Sequence, residues 1–258
     1  MELHGITVLV TGANRGIGRA IAQRLAREPV RVLAGVRDVS AYDPIPAGQG
    51  TVVPVALDLS SRESIDAGLD GLGDDLRAID VLVNNAGQFT AGLLEEQDLE
   101  QIYSLIQVNL LGTIHLTHRL LPIMLARGSG KIVNNSSVSG YVNFPAVSTY
   151  AASKGGVAAF TESLRRELAP TPVTTLHVIT GGIATEMLDD TKRLLEPHFG
   201  TLDGWDRQSP ESWADKIARA IAADDDVLGP GGKSALGKLA SHLPKVVLDT
   251  VSSRSFRR

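Results

Sequence analysis

The 258-residue sequence predicts a doubly wound α/β domain, with a mostly parallel sheet of about seven strands and helices on both faces. Three observations predict it. Short apolar, β-branched runs alternate with segments of helical spacing along the chain. A glycine-rich turn joins the first such run to the first helical segment. No Pro/Gly/Ser linker, fixed-period repeat or low-complexity stretch divides the chain, so residues 1–258 are expected to form a single domain.

The strand candidates are ITVLVTG from Ile6, VRVLAGV from Val30, TVVPVALD from Thr51, DVLVNNAG from Asp80, KIVNNSS from Lys131 and TTLHVIT from Thr174. Their length and composition suit strands buried on both faces of a parallel sheet. A short last strand is expected at DVLG from Asp226.

Between them, GIGRAIAQRLARE places Ile17, Ala20, Ile21 and Leu25 on one helix face. The stretch from Leu94 to Leu125 reads as one long helix or two, disturbed at Gly112 and broken near Pro122. SPESWADKIARAIAADD opens with Ser209 as N-cap and Pro210 at the first helical position.

Composition narrows the function. A net charge of −4 offers nothing global to a nucleic-acid backbone, so no nucleic-acid partner is expected. The chain has no cysteine, which excludes disulfides and thiolate metal ligands. Its six histidines lack ligand spacing. His115 and His118 read as ordinary residues of a long helix, and no metal is expected. The start MELHGITVLVTG lacks a basic segment followed by a long apolar one. No apolar run reaches the roughly 20 residues that span a bilayer. A soluble, cytoplasmic protein is expected.

VLVTGANRGIGRAIA puts Gly12, Gly16 and Gly18 where the first strand meets the first helix. Glycines there allow a tight turn and let a helix N-terminus meet a phosphate without intervening side chains. A ligand-free turn is the alternative.

TYAASKGG places Lys154 four residues after Tyr150, on one helix face and among small residues. A free tyrosine has a pKa of about 10, and a nearby cation favours the phenolate. The pair is either a surface accident or an acid with the cation that tunes it.

Taken in order, these motifs resemble the short-chain dehydrogenases/reductases. The GxxxGxG spacing is similar to that family's nucleotide turn. NNAG at Asn84–Gly87, VNLLG with Asn109, IVNNSSVSG with Ser137, YAASK and VITGGIATEM follow at the family's intervals. Ser137 stands thirteen residues before Tyr150. The resemblance runs from about Ile6 to Met187.

It implies a Rossmann fold and an oxidoreductase that interconverts a carbonyl and an alcohol. Asn109, Ser137, Tyr150 and Lys154 would be catalytic. Tyr150 would donate the proton, Ser137 polarise the carbonyl, Lys154 tune Tyr150 and hold ribose hydroxyls, and Asn109 hold a water in a proton relay. Cofactor contacts are implied for Gly12, Asn14, Arg15, Gly16, Ile17, Gly18, Arg37, Asp58, Leu59, Asn85, Ala86, Gly87, Tyr150, Lys154, Gly181, Ile183 and Thr185. A homodimer or homotetramer is implied as well.

Two residues depart from the family pattern. Thr180 stands where proline is usual, which predicts a looser loop after the sixth strand. Asn135 replaces a β-branched apolar residue and needs hydrogen-bond partners.

An acidic residue at the end of the second strand usually selects the unphosphorylated dinucleotide. Val36 and then Arg37 stand there, and Arg15 lies in the glycine turn. NADP(H) is therefore favoured, with NAD(H) the alternative should Asp38 reach the ribose.

Phe89, Ser139, Tyr141, Phe144 and Met187 are candidate substrate contacts, suited to a lipophilic carbonyl or alcohol. Residues 186–210 form the expected variable substrate region. The tail at 230–258 carries Lys233, Lys238, Lys245, Arg254, Arg257 and Arg258 among leucines and valines. It reads as edge-packed helices with a solvated basic face; peripheral membrane contact is the alternative.

Three further functions compete. One is an NAD-dependent alcohol or hydroxysteroid-type dehydrogenase. Another is a catalytically silent dinucleotide sensor, against which the four catalytic matches argue. The last is an α/β hydrolase, but no GxSxG elbow occurs in the chain.

Overall fold

The computed structural model describes residues 1–200, 207–232, 234–235 and 256–257. In chain order the elements are β1 (Thr7–Thr11), α1 (Gly16–Leu25), β2 (Arg31–Val36), β3 (Thr51–Ala56), α2 (Arg62–Asp70), α3 (Asp75–Ala78) and β4 (Ile79–Asn84). There follow α4 (Leu99–Ile106), α5 (Gly112–Arg127), β5 (Gly130–Ser137), α6 (Ser148–Leu168), β6 (Val173–Thr180), α7 (Glu186–Phe199), α8 (Pro210–Ala222) and β7 (Val227–Leu228). The seven strands form one sheet in the order β3-β2-β1-β4-β5-β6-β7. Every pairing is parallel.

The strand period of two divides the core. Val8 and Val10 of β1 pack with Ile21 and Leu25 of α1 and Trp213 and Ile217 of α8. Leu9 turns the other way, with Ile65 of α2, Leu116 and Leu120 of α5 and Leu164 of α6. Parallel connection through helices thus covers both faces. β3 departs from the expected double burial. Its residues are all exposed or half-buried, because it is an edge strand, where Pro54 is tolerated.

The segment from Leu94 is two helices. They meet at a π-helical turn over Gln107–Leu111, just ahead of the expected disturbance at Gly112. Pro122 does not break α5, which continues to Arg127. The proline lies on the exposed side, while Leu116, Leu120 and Met124 anchor the buried side. His115 meets Asp66 at 3.1 Å in a part-buried pair. The Ser209 side chain caps α8, with Pro210 in its first turn. No helix among the described residues is long and apolar enough to cross a membrane.

Candidate active site

The carboxyl ends of β1, β4, β5 and β6 open onto a cleft of about 1290 Å³. It lies where the strand order reverses between β1 and β4, the place at which open α/β sheets receive ligands. Small-ligand pockets usually span roughly 300–1,000 Å³, so this cleft has room for two molecules side by side.

One end is the glycine turn. Gly12 and Gly16 adopt φ of +65° and +55°, a region that disfavours side chains. A Cβ on Gly18 would stand 2.2 Å from the Gly12 carbonyl oxygen and 2.5 Å from Asn85 Nδ2. One on Gly12 would stand 2.9 Å from Ala86 Cα. Backbone is thus pressed on backbone, and α1 begins with no side-chain cap. This cradle fits a dinucleotide pyrophosphate. Gly12, Asn14, Arg15, Gly16, Ile17, Gly18, Arg37, Asp58, Leu59, Asn85, Ala86 and Gly87 all line the cleft. Asp38 is absent from the lining; its Oδ1 accepts from Ser40 N at 2.8 Å and Ser40 Oγ at 2.6 Å. Those bonds hold its carboxyl below the usual carboxylate range.

At the other end Ser137 closes β5, and α6 brings Tyr150 and Lys154, 9% and 6% exposed, beside it. Phe89 meets the Tyr150 ring edge-on, with centroids 4.8 Å apart. Burial pushes the Tyr150 phenol up to about 12, opposed by a hydrogen bond with Ser137. Burial pushes Lys154 down to about 8. The expected lowering of the phenol by Lys154 is therefore corrected. The ammonium donates to the Asn135 carbonyl at 2.9 Å, and burial is the largest cause of the phenol's shift.

Asn109 sits in the π-helical turn and is not among the residues that line the cleft. Its Oδ1 accepts from Gln88 N at 2.7 Å, and its Nδ2 donates to Gln88 O and Ser153 Oγ, both at 3.0 Å. It clamps the segment after β4 to α6. The small residues after Lys154 serve packing within the chain. A Cβ on Gly140 would meet Gly155 N at 2.8 Å, and one on Gly156 would meet Leu110 at 2.8 Å.

Gly181, Ile183 and Thr185 line the cleft after β6. The looseness expected from Thr180 is not found. Thr180 ends β6, its hydroxyl donates to Asn135 Oδ1 at 2.5 Å and it accepts from Trp213 Nε1 at 3.1 Å. Ala184 N donates to Gln208 O at 2.8 Å and Gln208 N to Gly182 O at 3.1 Å, pinning the loop. Both departures from the family pattern thus resolve into one contact.

Phe89, Ser139, Phe144 and Met187 line the remaining wall. Tyr141 does not. Tyr141 N and Val142 N both bond back to Val138 O, and this tight turn sends the ring toward His177, with centroids 6.2 Å apart. Sequence reading missed Gln88, Val142, Leu188, Thr191, Leu195 and Phe199 in the lining. The spacing of Leu188, Thr191 and Leu195 on α7 was the available signal. Phe256 packs on His198 and Phe199 with centroids 5.8 and 5.6 Å away. Most of the 230–258 tail, including Lys233, Lys238, Lys245, Arg254 and Arg258, lies outside the described residues.

Residues 6–194 match the family model described as short chain dehydrogenase. The chain is 35% identical over 224 residues to the ketoacyl reductase HetN of Nostoc sp., covering 85% of this chain and 76% of that one. It is 36% identical over 201 residues to the 3-oxoacyl-acyl-carrier-protein reductase FabG of Vibrio cholerae, covering 75% and 81%. A short chain dehydrogenase from Burkholderia cenocepacia, solved in complex with NADP, superposes with a TM-score of 0.82 at 25% identity, over 98% of this chain and 99% of that one. One from Sphingobium yanoikuyae in complex with NADPH gives 0.74 at 26% identity, over 86% of each.

Proposed function

The chain belongs to the short-chain dehydrogenase family, and on that premise we propose that it is an NADP(H)-dependent oxidoreductase interconverting a lipophilic carbonyl compound and its alcohol, with Tyr150 as acid and base. The observation that carries this reading is the meeting of Ser137, Tyr150 and Lys154 at one end of a cleft whose other end is the glycine cradle.

The cradle at Gly12–Gly18 would hold the pyrophosphate, Asp58 and Leu59 the adenine, and Arg15 and Arg37 the 2′-phosphate. Gly181, Ile183 and Thr185 would hold the nicotinamide. When bound, the dinucleotide supplies or accepts the hydride. Ser137 Oγ orients and polarises the substrate oxygen. In reduction, Tyr150 donates its proton to that oxygen; in oxidation, its phenolate takes the proton back. Lys154 is fixed by the Asn135 carbonyl, and its remaining protons supply donors for ribose hydroxyls. Asn109 acts through Gln88 and Ser153, by holding the walls of the site in place.

The apolar wall at Phe89, Phe144, Leu195 and Phe199 supports a lipophilic substrate. The ketoacyl reductases among the relatives make 3-oxoacyl thioesters the first class to assay. Exposed Leu99, Tyr103 and Leu111 support self-association into a homodimer or homotetramer, which light scattering checks. The test of function is titration with NADPH and NADH, then turnover on a panel of ketones, aldehydes and 3-oxoacyl thioesters. Tight NADPH binding without turnover on any of them would favour a silent dinucleotide sensor.

A further inference from the structure

A single file of hydrogen bonds runs along the floor of the cleft, which Asn85, Asn135 and Thr180 line, at the carboxyl ends of β6, β5, β4 and β1. Trp213 Nε1 of α8 donates to Thr180 Oγ1 at 3.1 Å. Thr180 Oγ1 donates to Asn135 Oδ1 at 2.5 Å. Asn135 Nδ2 donates to Asn85 Oδ1 at 3.1 Å. Asn85 Nδ2 donates to the Thr11 carbonyl at 3.1 Å. Every bond points the same way, so each polarises the next. Trp213 is fully buried, and Thr180 and Asn135 nearly so. A buried group left without its partner costs more than the bond itself is worth.

The file touches the active site at three points. Asn85 presses on the glycine turn, where a Cβ on Gly18 would meet its Nδ2 at 2.5 Å. The Asn135 backbone carbonyl accepts the Lys154 ammonium at 2.9 Å. Thr180 lines the cleft together with the Gly181–Thr185 segment that follows it.

We propose that Asn135 and Thr180 are a coupled pair of positioning residues, anchored by Trp213, that sets Lys154 and the segment after β6 for the bound dinucleotide. The pair does by hydrogen bonding what a proline after β6 would do by fixing φ. Neither member can be replaced alone. Thr180→Val strands Asn135 Oδ1 and Trp213 Nε1, and Asn135→Val strands the Thr180 hydroxyl and Asn85 Oδ1. The proposal rests on the reading that the cleft holds NADP(H).

The test uses the full chain carrying Trp205→Phe, which leaves Trp213 as the sole tryptophan. Thr180→Val, Asn135→Val, their double variant and Thr180→Ser are compared by Trp213 emission, urea midpoint and NADPH titration. Thr180→Val is expected to shift Trp213 emission to the blue. Each valine variant is expected to raise the NADPH Kd roughly tenfold, the scale of a lost buried hydrogen bond. The double variant should bind no worse than the weaker single, and Thr180→Ser should restore both emission and binding. Folded single variants that bind NADPH as wild type does, or a double variant whose loss is the product of the two, would overturn the proposal alone. Wild-type protein that binds neither dinucleotide would overturn it together with the reading it rests on.

Discussion

Arg15 Nη1 lies 2.7 Å from Glu186 Oε2, so an ion pair spans the mouth of the cleft between the glycine turn and the start of α7. Both side chains are well exposed, at 70% and 76%. A 2′-phosphate held by Arg15 has to compete with this carboxylate. Glu186→Gln removes the competitor and is expected to tighten NADPH binding by up to about fivefold, the worth of a surface pair. Arg15→Ala should shift the NADPH-to-NADH affinity ratio toward NADH by roughly tenfold or more. Calorimetric titration with both dinucleotides checks this. A Glu186→Gln protein with weaker NADPH binding would count against the assignment.

Tyr150→Phe is expected to lower turnover by roughly two to four orders of magnitude, the usual contribution of a general acid, while NADPH still binds. Tyr150, held at about 12, is protonated across the neutral range. Carbonyl reduction should therefore be nearly flat in pH, while alcohol oxidation should climb with pH as phenolate forms. A pH–rate profile in both directions decides it.

Stability should carry the opposite shifts of the two buried groups. Lys154 falls from 10.5 to about 8, so the unfolded chain binds the extra proton between those values and stability rises with pH across them. Tyr150 rises from 10.0 to about 12, so the folded chain binds the extra proton and stability falls across that window. Wild type should gain on Lys154→Met by up to about 3 kcal/mol between pH 8 and 10.5. Urea midpoints of both proteins across this range measure it.

Gly18→Ala should destabilise the fold by about 1–3 kcal/mol, the cost of overpacking, and abolish dinucleotide binding. Its Cβ would meet the backbone oxygen of Gly12 at 2.2 Å, and backbone gives way poorly. Thermal melts with and without NADPH test both parts.

Phe256 reaches back to the end of α7, where Arg257 N donates to His198 O at 2.7 Å. Phe256 joins the cluster of Phe89, Phe144, Val147 and Leu195. Phe256→Ala should loosen the wall at Phe199 and raise KM several-fold for long apolar substrates relative to short ones. Equal KM changes across chain lengths would refute a role in specificity.

Much of this was legible because local rules act locally. The alternation of β-branched runs and helical spacings gives six strands their positions. The last strand shrinks to Val227–Leu228, as its short apolar run suggested. Ser209 and Pro210 mark the start of α8 because capping chemistry is local. Pro122 misled because a proline on the exposed face of a well-anchored helix is absorbed. Tyr141 misled because one tight turn reverses its direction, and nothing in the residue types near it reports that turn. The Phe256 contact joins residues far apart in the chain and leaves no periodic trace.

By itself, the sequence determined the parallel α/β fold, the glycine cradle and the placing of Ser137, Tyr150 and Lys154, since spacing along one strand or helix sets which side chains share a face. Tertiary structure alone decided what Thr180 and Asn135 do. Singly, each looks like a defect: a missing proline and a buried amide. Neighbouring strands in the sheet bring them within 2.5 Å, and each then satisfies the other. A buried hydrogen bond between residues distant in sequence depends on register and burial, which the chain acquires only on folding.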